Sequence, residues 1–152
     1  EQTGLVSLLQ SSAVSLMSII NDLLDFTKLE AGKMTIEKIP FDVIGVVEGS
    51  LAVIEPKAED KGLLVQCHIE QDIPEKIVGD PNRLRQILLN LLQNATKFTN
   101  DGSISLSVSR LEDSDKGQVV LRFVVEDTGI GIYSSHQNQI FQKYQQGGTS
   151  IA

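Results

Sequence analysis

The chain has 152 residues, 41% of them hydrophobic, which suffices for one core, or for one compact domain with an appended helix. Twenty acidic against thirteen basic side chains leave a net charge of −7, which argues against nucleic acid or an anionic membrane as the main partner. A single cysteine, Cys67, rules out a disulfide framework. No segment reads as a secretory signal or a bilayer span, so the expected setting is soluble and reducing.

In chain order, Leu5, Leu9, Leu16, Ile20, Leu23, Leu24, Phe26 and Leu29 recur at helical spacing without a proline. They predict one long amphipathic helix of about 25 residues ending at Ala31-Gly32, of the kind that pairs with another helix. The chain divides there, into 1–32 and 33–152. Met34–Ile39 predicts a short strand closed by Pro40. Asp42 is the expected N-cap of a helix running to about Lys61, with Gly62 as its stop and Pro56 as a site of kinking or early termination. Leu63–Glu70 alternates as a strand, with Cys67 as a small core residue, and Ile77–Val78 is a very short one. Asp80-Pro81 has the signature of a helix start, a capping carboxylate followed by proline in the first turn. Ser103–Leu111 and Val119–Glu126 predict two long strands joined by the hairpin loop Asp113–Gly117. Helices and strands mixed in this way, ending in an antiparallel hairpin, predict an α+β fold in two layers.

Two stretches carry chemistry. On the helix from Asp80, Arg83, Asn90, Asn94 and Lys97 fall within roughly 60° of one another, beside the apolar arc of Leu84, Leu88, Leu91, Ala95 and Phe98. A polar stripe beside a core stripe is where a cleft wall would stand. Two asparagines in a leucine-rich helix are unfavourable for the helix itself. An asparagine carbonyl is a hard neutral ligand suited to Mg²⁺, and a lysine one turn away can pair with phosphate. The second stretch, Asp127-Thr128-Gly129-Ile130-Gly131-Ile132, ends a strand in a glycine turn. Its glycines allow close backbone approach to a ligand, and its carboxylate can accept from an exocyclic amine. It is not the dinucleotide fingerprint, which follows an early strand and opens a helix.

Asn90–Phe98 resembles the N box of sensor histidine kinases, Val125–Ile132 their G1 box, and Ile140-Phe141-Gln142-Lys143-Tyr144 their F box. Leu29-Glu30-Ala31-Gly32-Lys33-Met34 resembles the junction between their dimerisation helix and catalytic domain. The order and spacing agree along nearly the whole chain, and the wording of Lys97-Phe98-Thr99 and Phe141–Gln146 is most like hybrid kinases. The resemblance implies the GHKL (Bergerat) two-layer sandwich, the superfamily of gyrase B, Hsp90 and MutL. It implies an ATP-binding catalytic domain over 33–152, preceded by the second helix of a dimerisation domain over 1–32.

By the same resemblance, Asn94 would hold Mg²⁺ between the phosphates of ATP, supported by Asn90. Lys97 would contact phosphate and Phe98 would line the adenine pocket. Asp127 would read the adenine amine, while Gly129, Gly131 and Ile132 would pass the nucleotide. Phe141 and Tyr144 would anchor a lid. The implied reaction moves the γ-phosphoryl group of ATP to a histidine and then to an aspartate on a response-regulator receiver domain. The implied assembly is a homodimer through the N-terminal helix. The implied location is cytoplasmic, either free or as the cytoplasmic part of a membrane-bound sensor, with no membrane contact by this segment.

Two departures qualify this. The acceptor histidine of the family lies on an earlier helix. Of the two histidines here, His68 reads as a packing residue in a strand, and His136 lacks an acidic neighbour. Neither is assigned as acceptor, and no catalytic residue is named. Without the acceptor helix this stretch alone is expected not to autophosphorylate, and because the chain also stops before a G2 box it is expected to bind ATP more weakly than one extended through it. The alternatives are a GHKL ATPase and a non-catalytic dimerisation or regulatory module. In the hydrolysing relatives a glutamate general base stands where this chain has Asn90.

Overall fold

The computed structural model describes residues 13, 16–17, 20–21, 23–114, 118–133 and 137. The chain divides into two compact units, Glu1–Glu37 and Lys38–Ala152. In the first, the described residues up to 30 are helical, with 23–30 continuous (α1). The helix ends in a Schellman turn. Gly32 takes φ +63, its N–H donates to Leu29 O at 3.1 Å, and the Lys33 N–H donates to Lys28 O at 2.9 Å. Leu16, Met17, Ile20, Leu23, Leu24 and Leu29 are exposed along α1 and the helical residues before it. The early part of the expected helix, from Leu5, lies outside the described residues.

The second unit contains β1 (Ile39–Asp42), α2 (Val43–Asp60), β2 (Leu64–Ile69), β3 (Lys76–Gly79), α3 (Pro81–Phe98), β4 (Ser103–Ser114) and β5 (Gln118–Asp127). β1 and β3 form an antiparallel ribbon, and β2-β4-β5 form a sheet in which β4 runs parallel to β2 and antiparallel to β5. The parallel β2–β4 pairing needs a long crossover, which β3 and α3 provide. β4 shows why the sheet has two unlike faces. Ile104, Leu106 and Val108 are fully buried, while Ser103, Ser105, Ser107 and Ser109 are half-buried on the other side. The apolar face meets the buried residues of α2 (Val43, Val46, Val47, Leu51, Ile54, Ala58) and α3 (Leu88, Leu92, Ala95) in one core. Ser50 and Thr96 are buried within these helices, and their hydroxyls donate to Val46 O (2.7 Å) and Leu92 O (2.8 Å).

Both helix starts follow their sequence signals. Asp42 accepts the Gly45 N–H at 3.0 Å, and Asp80 accepts the Arg83 N–H at 3.0 Å ahead of Pro81. Asp80→Ala is expected to lower stability by about 1 kcal/mol in urea denaturation, because one N-terminal amide loses its acceptor. An unchanged midpoint would show that the cap does not hold α3.

Three expectations are corrected, and an early end of α2 at Pro56 is excluded. The strand expected over Met34–Ile39 begins only at Ile39 and continues through Pro40. β1 pairs on one side only, with Pro40 opposite Val78, so a missing N–H is tolerated there. α2 does not end early at Pro56 but runs on to Asp60. Pro56 and Ala52, whose carbonyl loses its helical partner, are both exposed to water. Cys67 is exposed rather than a core residue, although it shares a face with the half-buried Val65 and Ile69, because β2 is an edge strand. Its thiol is still partly desolvated, which pushes its pKa up, and the Glu48 carboxylate adds to the rise. His68, on the opposite face of β2, is exposed and packs in no core.

Candidate functional site

The sheet brings the glycine turn after β5 against the end of the helix that carries the polar stripe. β5 ends at Asp127, beside the last turn of α3. The Ile130 N–H donates to Phe98 O at 3.4 Å, and a Cβ on Gly129 would stand 2.5 Å from the same oxygen. Only glycine lets the loop lie this close to the helix end. The Asp127 carboxylate is held through Oδ1, which accepts the Gly129 N–H at 2.8 Å and a long 3.5 Å contact from the Thr99 hydroxyl. Gly131 has φ +66, so the chain turns away in a left-handed conformation.

Of the candidate residues on α3, Lys97 and Phe98 lie in its last turn, Asn94 one turn earlier and Asn90 near the middle of the helix. Asn90, Asn94 and Lys97 are exposed, and Phe98 is 43% exposed. The Lys97 ammonium lies 5.0 Å from the centre of the Phe98 ring, a cation–π contact that links the proposed phosphate and adenine contacts. Asn94 and Lys97 also line a cleft of about 410 Å³ between α3 and α2, with Gln93, Thr96, Val53, Ile54 and Lys57. Lys57 thus adds a second cation there, in a chain that is acidic overall. Phe98, Asp127 and Gly129 do not line this cleft; they form the joint at the helix end. Arg83, one end of the polar stripe, is hydrogen-bonded to Gln86 at 2.8 Å. Ile132 is exposed just beyond the glycine turn. Phe141, Tyr144 and His136 lie outside the described residues.

Sequence reasoning missed the supports of this joint. Thr128 stitches β5 to the turn before β4. Its hydroxyl accepts the Ser103 N–H at 3.0 Å and donates toward Asp101 O (3.2 Å) or Ser103 O (3.4 Å). Gly102, at φ +106, leaves room for that hydroxyl. Lys61, in the turn after α2, donates to three carbonyls at the end of α3. Gly102 two residues after Asn100 carried a turn signal, but nothing in the local sequence tied Lys61 to α3.

Among the described residues no group of three or more His, Cys, Asp or Glu side chains could hold a metal. The amide oxygen of the exposed Asn94 is a donor of the kind Mg²⁺ accepts together with water and phosphate oxygens. No helix of the described residues is long and apolar enough to cross a membrane.

Residues 79–152 match the family "Histidine kinase-, DNA gyrase B-, and HSP90-like ATPase". The signal transduction histidine-protein kinase BarA of Escherichia coli (strain K12) is 40% identical over 144 residues, covering 95% of this chain and 16% of that protein. The sensor histidine kinase GacS of Pseudomonas protegens is 38% identical over 151 residues, covering 99% of this chain and 16% of that protein. Among solved structures, full-length ShkA in complex with AMPPNP superposes with a TM-score of 0.76 at 35% identity, over 93% of this chain and 29% of that one. The chain thus spans a small part of the relatives it matches. Residues 79–152 belong to the histidine kinase-, DNA gyrase B- and HSP90-like ATPase family, in a chain similar over nearly its whole length to sensor histidine kinases.

Proposed function

We propose that the chain is the ATP-binding portion of a sensor histidine kinase of the hybrid type, and that it directs the γ-phosphoryl group of ATP to a histidine on a dimerisation helix. The observation that carries this is the joint at the end of α3, where the Asp127 carboxylate and the glycine loop are bonded against Phe98 and Thr99. Asp127 beside the end of the helix that bears Asn90, Asn94, Lys97 and Phe98 supports reading them as one nucleotide site. With Oδ1 held by the Gly129 N–H, the second oxygen of Asp127 serves the adenine amine. Gly129, Gly131 and Ile132 let the backbone pass the nucleotide. Lys97 pairs with phosphate.

Asn94, supported by Asn90, would hold Mg²⁺, whose chemistry is to neutralise charge on the phosphate oxygens. In the transfer, an imidazole nitrogen of the acceptor bonds to the γ-phosphorus as the bond to the β–γ bridging oxygen breaks, and ADP leaves. The phosphoryl group then passes to an aspartate of a response-regulator receiver domain. The exposure of Leu16, Leu23, Leu24 and Leu29, all in described helical positions, supports dimerisation through that helix.

Competition between ATP and GTP tests the nucleotide assignment. Loss or mismatch of one buried polar contact costs about 1–3 kcal/mol, so ATP is expected to win by roughly tenfold or more. Equal affinities would remove Asp127 from its role. Acid-labile phosphate on histidine, in a polypeptide that includes the acceptor helix, separates a kinase from an ATPase. Release of inorganic phosphate without it would favour the ATPase.

A further inference from the structure

A helix leaves its last four carbonyls without partners inside the helix. In α3 these belong to Ala95, Thr96, Lys97 and Phe98, on the turn that presents Lys97 and Phe98 and adjoins Asn94. Ala95 O accepts the Thr99 N–H at 3.0 Å, and Phe98 O accepts the Ile130 N–H at 3.4 Å. The remaining two are both taken by Lys61, whose ammonium lies 2.7 Å from Thr96 O and 3.3 Å from Lys97 O. It also lies 2.9 Å from Thr99 O, so the three N–H bonds of one ammonium converge on three carbonyls. A cation at a helix C-terminus also meets the negative end of the helix dipole.

The Lys61 backbone is itself fixed. It is the C-cap of α2, in a Schellman turn closed by Gly62 N–H to Glu59 O (2.8 Å) and Leu63 N–H to Ala58 O (2.9 Å). Gly62 takes φ +70, and Ala58 and Leu63 are buried, so the turn is anchored in the core.

The geometry points to Lys61 as a positioning residue for the nucleotide site. It ties the last turn of α3 to α2 on one side while the Asp127–Ile130 loop holds it on the other, so that Asn94 and Lys97 keep their place relative to Asp127. The inference rests on the nucleotide reading above. Lys61 is not assigned a contact with the ligand and acts through the carbonyls it bonds.

The test measures binding of Mg²⁺–AMPPNP by calorimetry, well below the melting temperature, in the wild-type chain and in Lys61→Met, Lys61→Arg and Val108→Ala. Val108→Ala is a control that destabilises the buried sheet face away from the site. A displacement of about 1 Å at binding groups can cost up to ~100-fold, so Lys61→Met is expected to bind at least ~10-fold more weakly. Val108→Ala should bind as the wild type does. Lys61→Arg keeps the charge but spreads its donors on a planar fork, and should fall between. Wild-type affinity in Lys61→Met, or equal weakening in Val108→Ala, would overturn the assignment.

Exchange of the Thr99 amide is followed in the same samples without nucleotide. If the wild type fails to bind, the nucleotide reading falls, and the amide decides the clamp separately. Faster exchange in Lys61→Met than in Val108→Ala supports it, and equal exchange overturns it.

Discussion

Asn94→Ala is expected to abolish phosphotransfer, with a loss of at least ~100-fold, while leaving the melting curve almost unchanged. A metal ion that neutralises phosphate charge supplies several kcal/mol of transition-state stabilisation, and each ~1.4 kcal/mol lost is tenfold in rate. Alanine offers no oxygen to keep that ion. The fold has little reason to respond, because Asn94 is exposed, and surface substitutions of this kind stay within about 0.5 kcal/mol. Alanine is also the better helix former. Initial rates of autophosphorylation at saturating Mg²⁺, in a polypeptide that carries the acceptor helix, give the comparison. A near-normal rate would exclude Asn94 as the metal ligand, and a large drop in melting temperature would mean that it serves the fold.

Gly129→Ala should act in the opposite manner, damaging fold and site together. A Cβ there would stand 2.5 Å from Phe98 O, 2.9 Å from Phe98 C and 2.7 Å from Asp127 Oδ1. Two of these atoms are the backbone of a helix end and cannot swing aside. The loop must move, putting at risk the Ile130 bond to Phe98 O and the Gly129 bond to Asp127. Overpacking against a rigid neighbour costs about 3 kcal/mol at the upper end of its usual range. Gly131→Ala is the control, since a Cβ there meets nothing within 4 Å and only its φ of +66 is unfavourable. That conformation costs about 1 kcal/mol. Urea midpoints for the two variants give the ranking. If Gly131→Ala destabilises as much as Gly129→Ala, close approach is not what position 129 requires.

Local signals in the sequence were enough for most of the elements and for naming the candidate residues. Capping at Asp42 and Asp80, stops at Gly32 and Gly62, and the serine–apolar alternation of Ser103–Ser109 each act within a few residues, so each could be read directly. The same holds for the polar stripe Asn90, Asn94 and Lys97, whose common edge follows from helical spacing alone. That Asp127 meets the end of the helix bearing this stripe did not follow from spacing, because 28 residues separate Thr99 from Asp127. It depends on β4 and β5 carrying the chain back to the end of α3.

Where local rules failed, the deciding fact was the position of a strand in its sheet. Cys67 sits in an alternating run, yet β2 is an edge strand and leaves it exposed. Pro40 breaks strands in general, yet β1 has a partner on one side only. Lys61 read as the end of a helix. Only the packing of α2 on α3 turns its ammonium into the partner of three carbonyls, the nearest of them 35 residues away. Residue types and helical period therefore determine which groups share a helix edge. Long-range backbone bonds, to which local sequence is blind, determine whether those groups are held together.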